Sequence, residues 1–273
     1  MILSGVKAMN IIFIILSSII GYLIGSISFS RIILKIKAPN KSMDDLQLKL
    51  DNSKGEVTVM MGAGANKASI ILGTRWGIII GILDMIKVII PLIIFRYFLF
   101  PTEPYFLYVA AFGLIGHNWP IYHRFKGGRG HSVMLGSLIV IDWLAVVINI
   151  ILGNLLGFAL LGSLVFASYL WLWMMIPWFL LRYFDINYVL YAILINIIAI
   201  LSQIPEIKLF IQLRKEGKDK EYKEKITEMT SQFRGLKKME DFFKSLGKWR
   251  ILISVVSLSA SIAIYTLLAF LNI

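Results

Sequence analysis

Residues 116–130 read GHNWPIYHRFKGGRG and lie between two long apolar runs, which begin at Tyr105 and Ser132. A proline breaks the end of the first run. The residues after it combine three glycines with four side chains that carry or can acquire positive charge, His123, Arg124, Lys126 and Arg129. Glycine lets backbone N–H groups approach phosphate oxygens, and Lys and Arg supply charge. The stretch therefore predicts an anion-binding loop at a membrane edge.

Composition predicts a membrane protein. Of the 273 residues, 58% are hydrophobic and only 16% are charged, whereas a soluble domain carries about 25% charged residues. We therefore expect an all-α fold, a polytopic transmembrane helical bundle. The chain has no cysteine, which excludes disulfides and thiolate ligands, and its three histidines lack metal-ligand spacing, so neither a metal nor a cofactor is expected. The net charge of +12 favours anionic lipid headgroups over nucleic acid as the partner.

The apolar runs predict a seven-span core and an added C-terminal span. The predicted spans are 10–34, 76–98, 105–122, three within 132–181, 187–202 and 251–273. The first run is interpreted as a retained span because no convincing signal-peptide cleavage site follows it. Gly21 and Gly25 in this span predict a close helix contact. Two spans within 132–181 would also fit the length, but three place the basic tail on the cytoplasmic side, as the positive-inside rule favours.

A second glycine-rich segment, 57–77, precedes the second span. It is apolar but contains a set of small and polar residues, Gly62, Gly64, Asn66, Lys67, Ser69, Gly73 and Arg75. The sequence Gly-Ala-Gly-Ala-Asn suits neither helix nor strand, which predicts a re-entrant or membrane-edge loop; a flexible connector is the alternative. The preceding polar segment predicts a loop with a short amphipathic helix at 44–50. Since spans two and three form a hairpin, both glycine-rich segments should lie on the cytoplasmic face.

Ionisable residues inside the predicted spans are further candidates. Asp84 and Lys87 are three residues apart, which allows either a structural ion pair on one helix face or a direct role in the site. His117 could act as a general base or be a hydrogen-bonded structural histidine. The residues alone thus support an enzyme for phosphorylated lipid precursors or an anion carrier, and do not choose between them.

The polar tail predicts an amphipathic helix followed by the last span. Apolar residues recur at helical spacing in it: Phe233, Leu236, Met239, Phe242, Phe243 and Leu246. This pattern predicts a helix that lies on the membrane with its lysines toward headgroups, or a charged solvated helix. The chain therefore divides into a membrane domain at 1–210, a charged cytoplasmic segment at 211–250 and an added helix at 251–273.

Four motifs extend this interpretation: GYLIGSISFS at 21–30, LGTRWG with LDMIK at 72–87, GHNWP with RFKGGRG at 116–130, and RYFDI at 182–186. In this order they resemble motifs of the acyl-phosphate-dependent glycerol-3-phosphate acyltransferases (PlsY-like) of bacterial phospholipid synthesis. The chain departs from the family at two places. Ala63 replaces an expected hydroxyl residue, and IPEIK at 204–208 contains neither the expected His nor the expected Asn.

The resemblance implies acyl transfer from acyl-phosphate to glycerol 3-phosphate at the plasma membrane, on cytoplasmic loops. It implies four catalytic residues, Lys126, Asn66, Ser69 and His117. It implies substrate contacts from Gly62, Gly64, Lys67, Arg75, Asp84, Lys87, Gly127, Gly128, Arg129 and Gly130. Because two motifs are altered, the alternatives are a non-catalytic homologue that binds lipid or phosphate, and a transporter of a phosphorylated metabolite.

Overall fold

The computed structural model describes residues 9–43, 47–52, 55–60, 64–162, 164–229 and 231–271. These residues are mainly helical, so the prediction of an all-α bundle is confirmed. The helices are α1 (Ile11–Gly25), α2 (Phe29–Lys37), α3 (Ala65–Leu72), α4 (Thr74–Ile93), α5 (Tyr105–Asn118), α6 (His131–Ala159), α7 (Leu164–Trp173), α8 (Met175–Tyr183), α9 (Ile186–Lys215), α10 (Asp219–Met229), α11 (Ser231–Ser245) and α12 (Trp249–Leu271).

A small β-hairpin interrupts the helical order. Strand β1 (Gln47–Asn52) pairs antiparallel with β2 (Gly55–Met60), with Gln47 opposite Met60. The predicted amphipathic helix at 44–50 is therefore wrong for its described part, 47–50. The sequence Gln-Leu-Lys-Leu alternates with the period of a strand, and β2 contains the β-branched residues Val57, Thr58 and Val59, which favour extended backbone.

Five helical stretches are long and apolar enough to cross a membrane: Ile11–Lys37, Thr74–Leu99, His131–Ala159, Ile186–Lys215 and Trp249–Phe270. In contrast, α5 has only 14 residues. Within the segment where three spans are predicted, α6 is broken at Asp142, whose φ of −159° and ψ of 90° are not helical. The integral membrane character of the chain is thus supported, and the count of crossings stays a prediction.

The two glycines of the first span bring α1 and α5 into backbone contact. A Cβ on Gly21 would lie 2.4 Å from Val109 O, and one on Gly25 would lie 2.1 Å from Gly113 O. From the other side, a Cβ on Gly116 would lie 2.2 Å from Tyr22 O. Any larger residue would separate these helices, so the predicted close contact at Gly21 and Gly25 is confirmed.

The chain forms two compact units. One comprises residues 12–137 and 198–234, and it contains both glycine-rich segments. The other comprises the described part of 1–11 together with 138–197 and 235–273. The predicted division at residues 210 and 250 stays a prediction.

In the second unit, α11 packs on protein through one aromatic side chain. Phe243 is 8% exposed and stacks on Phe158 with ring centroids 5.5 Å apart, whereas Met239 and Phe242 are exposed. The predicted amphipathic helix is thus present as α11. Part of its apolar stripe is buried against α6 instead of being available to a membrane.

Candidate functional site

The KGGRG loop, residues 126–130, is positioned by a sharp reversal after α5. Trp119 N donates to Ile115 O at 2.8 Å, and Phe125 N donates back to Pro120 O at 3.0 Å. Arg124 and Phe125 close the reversal with φ values of 51° and 59°. Non-glycine residues rarely adopt this left-handed conformation, and such strain is concentrated at functional sites. The position of the loop therefore depends on two residues in a strained backbone conformation.

The glycines of the loop lie directly on the end of α5. A Cβ on Gly127 would lie 2.1 Å from His117 O, and one on Gly128 would lie 2.4 Å from His117 Nε2. Gly128 N donates to His117 O at 3.2 Å. Within the described part of the chain, the N–H groups of Gly127 and Gly130 have no backbone acceptor. Of the three N–H groups expected to face an anion, Gly128 N–H is thus engaged inside the protein.

A buried ionic cluster, Asp84, Lys87 and His117, lies beneath the loop. Lys87 Nζ is 2.8 Å from Asp84 Oδ1 and 3.0 Å from His117 Nδ1, and it donates to Ile27 O at 2.6 Å. The Asp84 and Lys87 side chains are 3% and 2% exposed. The structure therefore shows the structural ion pair that the i, i+3 spacing allows.

The two ring nitrogens of His117 face different neighbours, one inside the cluster and one in the KGGRG loop. Its Nδ1 faces Lys87 Nζ, which is a donor, so the ring proton belongs on Nε2. Nε2 in turn faces Gly128. This geometry favours the structural histidine over the general base, because the nitrogen beside the loop carries a proton already.

The second glycine-rich segment lies beside the first. A Cβ on Gly64 would lie 3.5 Å from Gly128 Cα, so the two segments share one face, as predicted. The expectation of an irregular loop over 57–77 is wrong for most of its described residues, since 57–60 lie in β2, 65–72 form α3 and 74–77 begin α4. No glycine interrupts the helix until Gly73, whose φ of 94° ends it. Gly62 lies outside the described residues.

The remaining predicted residues of this segment differ in exposure. Asn66 is exposed in the first turn of α3, Lys67 is 3% exposed, and Ser69 is half-buried. Ser69 packs against the start of α4, since a Cβ on Gly77 would lie 2.6 Å from Ser69 Cβ. Arg75 is exposed in the first turn of α4. Asn66 is thus accessible on the helix that begins beside the KGGRG loop.

The two cations of the KGGRG loop have different environments. Lys126 is exposed, and its carbonyl accepts a hydrogen bond from Arg31 Nη2 at 3.2 Å. Arg129 instead donates from Nη1 to Ser202 O and from Nη2 to the Glu206 carboxylate. Lys126 is therefore the loop cation that is accessible to a ligand, and Arg129 is paired within the chain.

Sequence reasoning missed two residues of this site. Glu206 is 77 positions from its partner Arg129, and the sequence marked it only by the absence of an expected His and Asn. Asn118 is 4% exposed, and neither of its amide atoms has a hydrogen-bond partner among the described residues. A Cβ on Gly130 would lie 2.7 Å from Asn118 Oδ1. A single polar residue at the end of an apolar helix was the signal available for Asn118.

Two titratable side chains near the loop have shifted pKa values. Partial burial lowers the pKa of His123, and the charge of Arg31 lowers it further. Burial raises the pKa of Tyr222 to about 12, and the negative charge of Glu206 adds to that rise. In the described ranges no group of three His, Asp or Glu side chains has the arrangement of a metal site. The chemistry that these residues offer is the binding of an anion.

Comparison with known proteins places this chain in a family. The family model described as glycerol-3-phosphate acyltransferase matches residues 50–212. A glycerol-3-phosphate acyltransferase 1 of Oceanobacillus iheyensis is 33% identical over 143 residues, which are 50% of this chain and 62% of the relative. A glycerol-3-phosphate acyltransferase of Mycoplasma mycoides subsp. mycoides is 36% identical over 145 residues, which are 51% of each chain. The chain thus spans about half to two thirds of the length of these relatives.

Solved structures show the same fold. The crystal structure of PlsY (YgiH), an integral membrane glycerol 3-phosphate acyltransferase, in its lysophosphatidic acid form has a TM-score of 0.56 and 22% identity, and the match covers 74% of this chain and 93% of that one. The glycerol 3-phosphate form has a TM-score of 0.57 and 21% identity, with 75% and 93% covered. With the family model covering more than half of its residues, this chain belongs to the glycerol-3-phosphate acyltransferase family.

Proposed function

We propose that the chain is a membrane acyltransferase that transfers a fatty acyl group from an acyl-phosphate to the 1-hydroxyl of glycerol 3-phosphate. The products are lysophosphatidate and inorganic phosphate. The observation that carries the proposal is the KGGRG loop, packed on the Asp84–Lys87–His117 cluster with Gly64 against Gly128. Family membership and the glycerol 3-phosphate form of the PlsY structure support the choice of acceptor.

The reaction asks the protein mainly for positioning. An acyl-phosphate is a mixed anhydride, so the acceptor hydroxyl can attack the acyl carbon directly. The new ester C–O bond forms, the bond from the acyl carbon to the phosphate oxygen breaks, and the departing phosphate takes the hydroxyl proton. No covalent enzyme intermediate is needed. Alignment of two bound reactants can supply up to about 7–11 kcal/mol of the barrier.

The proposed roles follow the exposure of each group. Lys126 is exposed and binds phosphate, together with the N–H groups of Gly127 and Gly130. Asn66 and Ser69 on α3 bound the other side of the site, with the exposed Arg75 as a further cation. Lys67 is buried and is therefore assigned a structural place in α3. Asp84 and Lys87 brace the loop through His117, which lies under Gly128. These assignments are part of the proposal.

The first test is Lys126→Ala in purified protein given acyl-phosphate and glycerol 3-phosphate. We expect kcat/KM to fall by about 100-fold or more, because the substitution removes a charge that stabilises the departing phosphate. Lys215→Ala is the control, since Lys215 is an exposed lysine at the end of α9. Undiminished turnover by the Lys126→Ala variant would remove the loop from the mechanism.

A substrate screen separates the proposed enzyme from its alternatives. The donors are acyl-phosphate and acyl-CoA, and the acceptors are glycerol 3-phosphate and other polyol phosphates. The proposal expects turnover with acyl-phosphate and glycerol 3-phosphate. Turnover with no pair would favour a non-catalytic homologue, and uptake of a phosphorylated metabolite into proteoliposomes would favour a transporter.

We also propose that the protein lies in the plasma membrane with the KGGRG loop in the cytoplasm. The cluster of basic residues after α1 supports this orientation by the positive-inside rule. Because the chain has no cysteine, single introduced thiols can report the sidedness. Thr102 is exposed in the turn that joins spans two and three, on the side expected to face outward. An impermeant maleimide should label Thr102→Cys in right-side-out vesicles and Arg124→Cys in inside-out vesicles. The reverse pattern would overturn the orientation.

A further inference from the structure

The second cation of the KGGRG loop is held by the end of α9. Arg129 donates from Nη1 to Ser202 O and from Nη2 to Glu206 Oε1. The two side chains are 24% and 28% exposed, so the ion pair is largely shielded from water. A shielded pair is screened less by salt than a surface pair. Glu206 is therefore part of the electrostatic surroundings of the loop.

The contact leaves hydrogen-bonding capacity unused on both partners. Arg129 Nε and Glu206 Oε2 are buried and have no hydrogen-bond partner among the described residues. A guanidinium binds phosphate best through two parallel N–H groups, here Nε and Nη2. The Glu206 carboxylate occupies Nη2 and thus takes one half of that pair. An anionic ligand that pairs with Nε and Nη2 would therefore compete with this carboxylate.

Residues beyond the matched part of the family cover the end of α9. The family match ends at residue 212. Tyr222, on α10, is 8% exposed and packs with Leu213, Leu209, Phe210 and Met229. Burial raises the pKa of the Tyr222 phenol, and the negative charge of Glu206 adds to that rise. Helix α10, which lies outside the matched region, thus packs on the end of α9 through this apolar cluster.

We propose that Glu206 sets the phosphate affinity of the site: its carboxylate acts as an internal counter-ion of Arg129 and competes with the phosphate of the acceptor. The phosphate then binds Lys126 and the glycine N–H groups without competition, and competes with Glu206 for Arg129. This weakens the affinity of the site for a dianionic phosphate. The inference rests on the proposed function only for the identity of the acceptor; the competition itself concerns any phosphate.

The test is the affinity of detergent-purified protein for glycerol 3-phosphate and for inorganic phosphate, measured by titration calorimetry. Glu206→Gln keeps the shape of the side chain and removes its charge. We expect it to bind glycerol 3-phosphate about tenfold more tightly than the wild type at low salt, because a like charge beside the ligand is gone. The gain should shrink as salt is added.

Glu216→Gln is the matched control. Glu216 lies in the turn after α9, is exposed, and accepts a hydrogen bond from Gln212 at 3.2 Å. Its substitution changes the net charge by the same amount, so it should leave the affinity unchanged if the effect is local. Equal tightening in the Glu216→Gln and Glu206→Gln variants would overturn the proposal in favour of a general charge effect.

A double variant tests whether Arg129 is the group for which Glu206 and the phosphate compete. In a Glu206→Gln background, Arg129→Gln should cancel the gain, because the ligand no longer has Arg129 to use. Unchanged or weaker binding by Glu206→Gln itself would overturn the proposal and make Glu206 a loop anchor.

Should Glu206→Gln fail to fold, Glu206→Asp keeps the charge but withdraws it by one methylene. It should tighten binding by about threefold, and no gain would overturn the proposal.

Kinetics separates this inference from the proposed function. If the chain is the proposed acyltransferase, Glu206→Gln lowers KM for glycerol 3-phosphate while kcat changes by less than about twofold, as for a change in ground-state affinity alone. A fall in kcat instead would assign Glu206 to the chemical step and overturn the proposal. If the wild type turns over no substrate but the Glu206→Gln variant binds phosphate more tightly, the competition stands and the proposed function fails.

Discussion

Asp84 and Asp142 are both carboxylates buried in apolar helices, at 2% and 5% exposure, and they are neutralised in different ways. Asp84 pairs with a residue one turn away on its own helix: Lys87 Nζ lies 2.8 Å from Asp84 Oδ1. The same Nζ contacts Ile27 O and His117 Nδ1. The Lys87 ammonium therefore joins α4 to Ile27 and to His117. His117 in turn lies against Gly128 of the KGGRG loop.

Asp142 is surrounded by donors from distant parts of the sequence. Arg182 Nε lies 3.0 Å and Trp178 Nε1 2.9 Å from Asp142 Oδ2, and Tyr183 OH lies 3.2 Å from the same oxygen. Ala145 N donates to Oδ1 at 3.0 Å and so restarts the helix after the break. Several donors share this charge, whereas Asp84 depends mainly on one. The Asp84 cluster should therefore be the less tolerant of losing its base.

The largest effect is expected from Lys87→Met. It leaves the Asp84 carboxylate buried without its cation, which costs about 3–5 kcal/mol of unfolding free energy. The measurement is unfolding in mixed SDS micelles followed by far-UV circular dichroism. Adding Asp84→Asn should restore most of the loss, because no charge is then left unpaired. A single variant as stable as the wild type would contradict the dependence on one partner.

A smaller effect is expected from Arg182→Met, the same kind of substitution in the second cluster. Asp142 keeps its contacts with Trp178, Tyr183 and Ala145, and the Arg182 side chain is 25% exposed, so water can reach the site. We expect a loss of about 1–3 kcal/mol by the same measurement. A larger loss than that of Lys87→Met would reverse the comparison.

The link between the Asp84 cluster and the loop is tested by Gly128→Ala. The new methyl group would lie 2.4 Å from His117 Nε2, and His117 is held on its other side by Lys87. We expect a loss of about 1–3 kcal/mol, as for overpacking, together with weaker phosphate binding. Gly64→Ala is the control for stability, since its Cβ would make an ordinary contact at 3.5 Å. Equal losses of stability would show that the loop does not depend on His117.

The two clusters also show what the sequence could predict. The Asp84–Lys87 pair was predictable because helical periodicity brings i and i+3 together. The close contact at Gly21 and Gly25 followed from the same periodicity. The partners of Asp142 were not predictable, since contacts 36 and 41 positions apart depend on tertiary packing. For the same reason, Arg129 was predicted to bind substrate, while its pairing with Glu206 was found only in the structure.

Secondary structure was predicted wrongly at two places where the local sequence pattern is ambiguous. Residues 47–50 suited either a short amphipathic helix or a strand, and pairing with β2 decides for the strand. In the second glycine-rich segment the pattern Gly-Ala-Gly-Ala-Asn suggested an irregular loop through the following residues. Helix α3 begins at Ala65, immediately after the last of these glycines. A boundary between loop and helix is set by the contacts of each turn, which composition alone does not specify.

The smallest effect is expected from Tyr183→Phe. Its hydroxyl lies 3.2 Å from both Ile141 O and Asp142 Oδ2, so one proton is shared between two long hydrogen bonds. The ring itself stacks on Tyr188 at 4.0 Å, a contact that phenylalanine keeps. We expect a loss of about 0.5–1.5 kcal/mol in the micelle unfolding assay. Trp178→Phe should cost more, because it removes a shorter hydrogen bond and also leaves a cavity. A loss from Tyr183→Phe as large as that from Arg182→Met would mean that the hydroxyl, and not the ionic contact, holds Asp142.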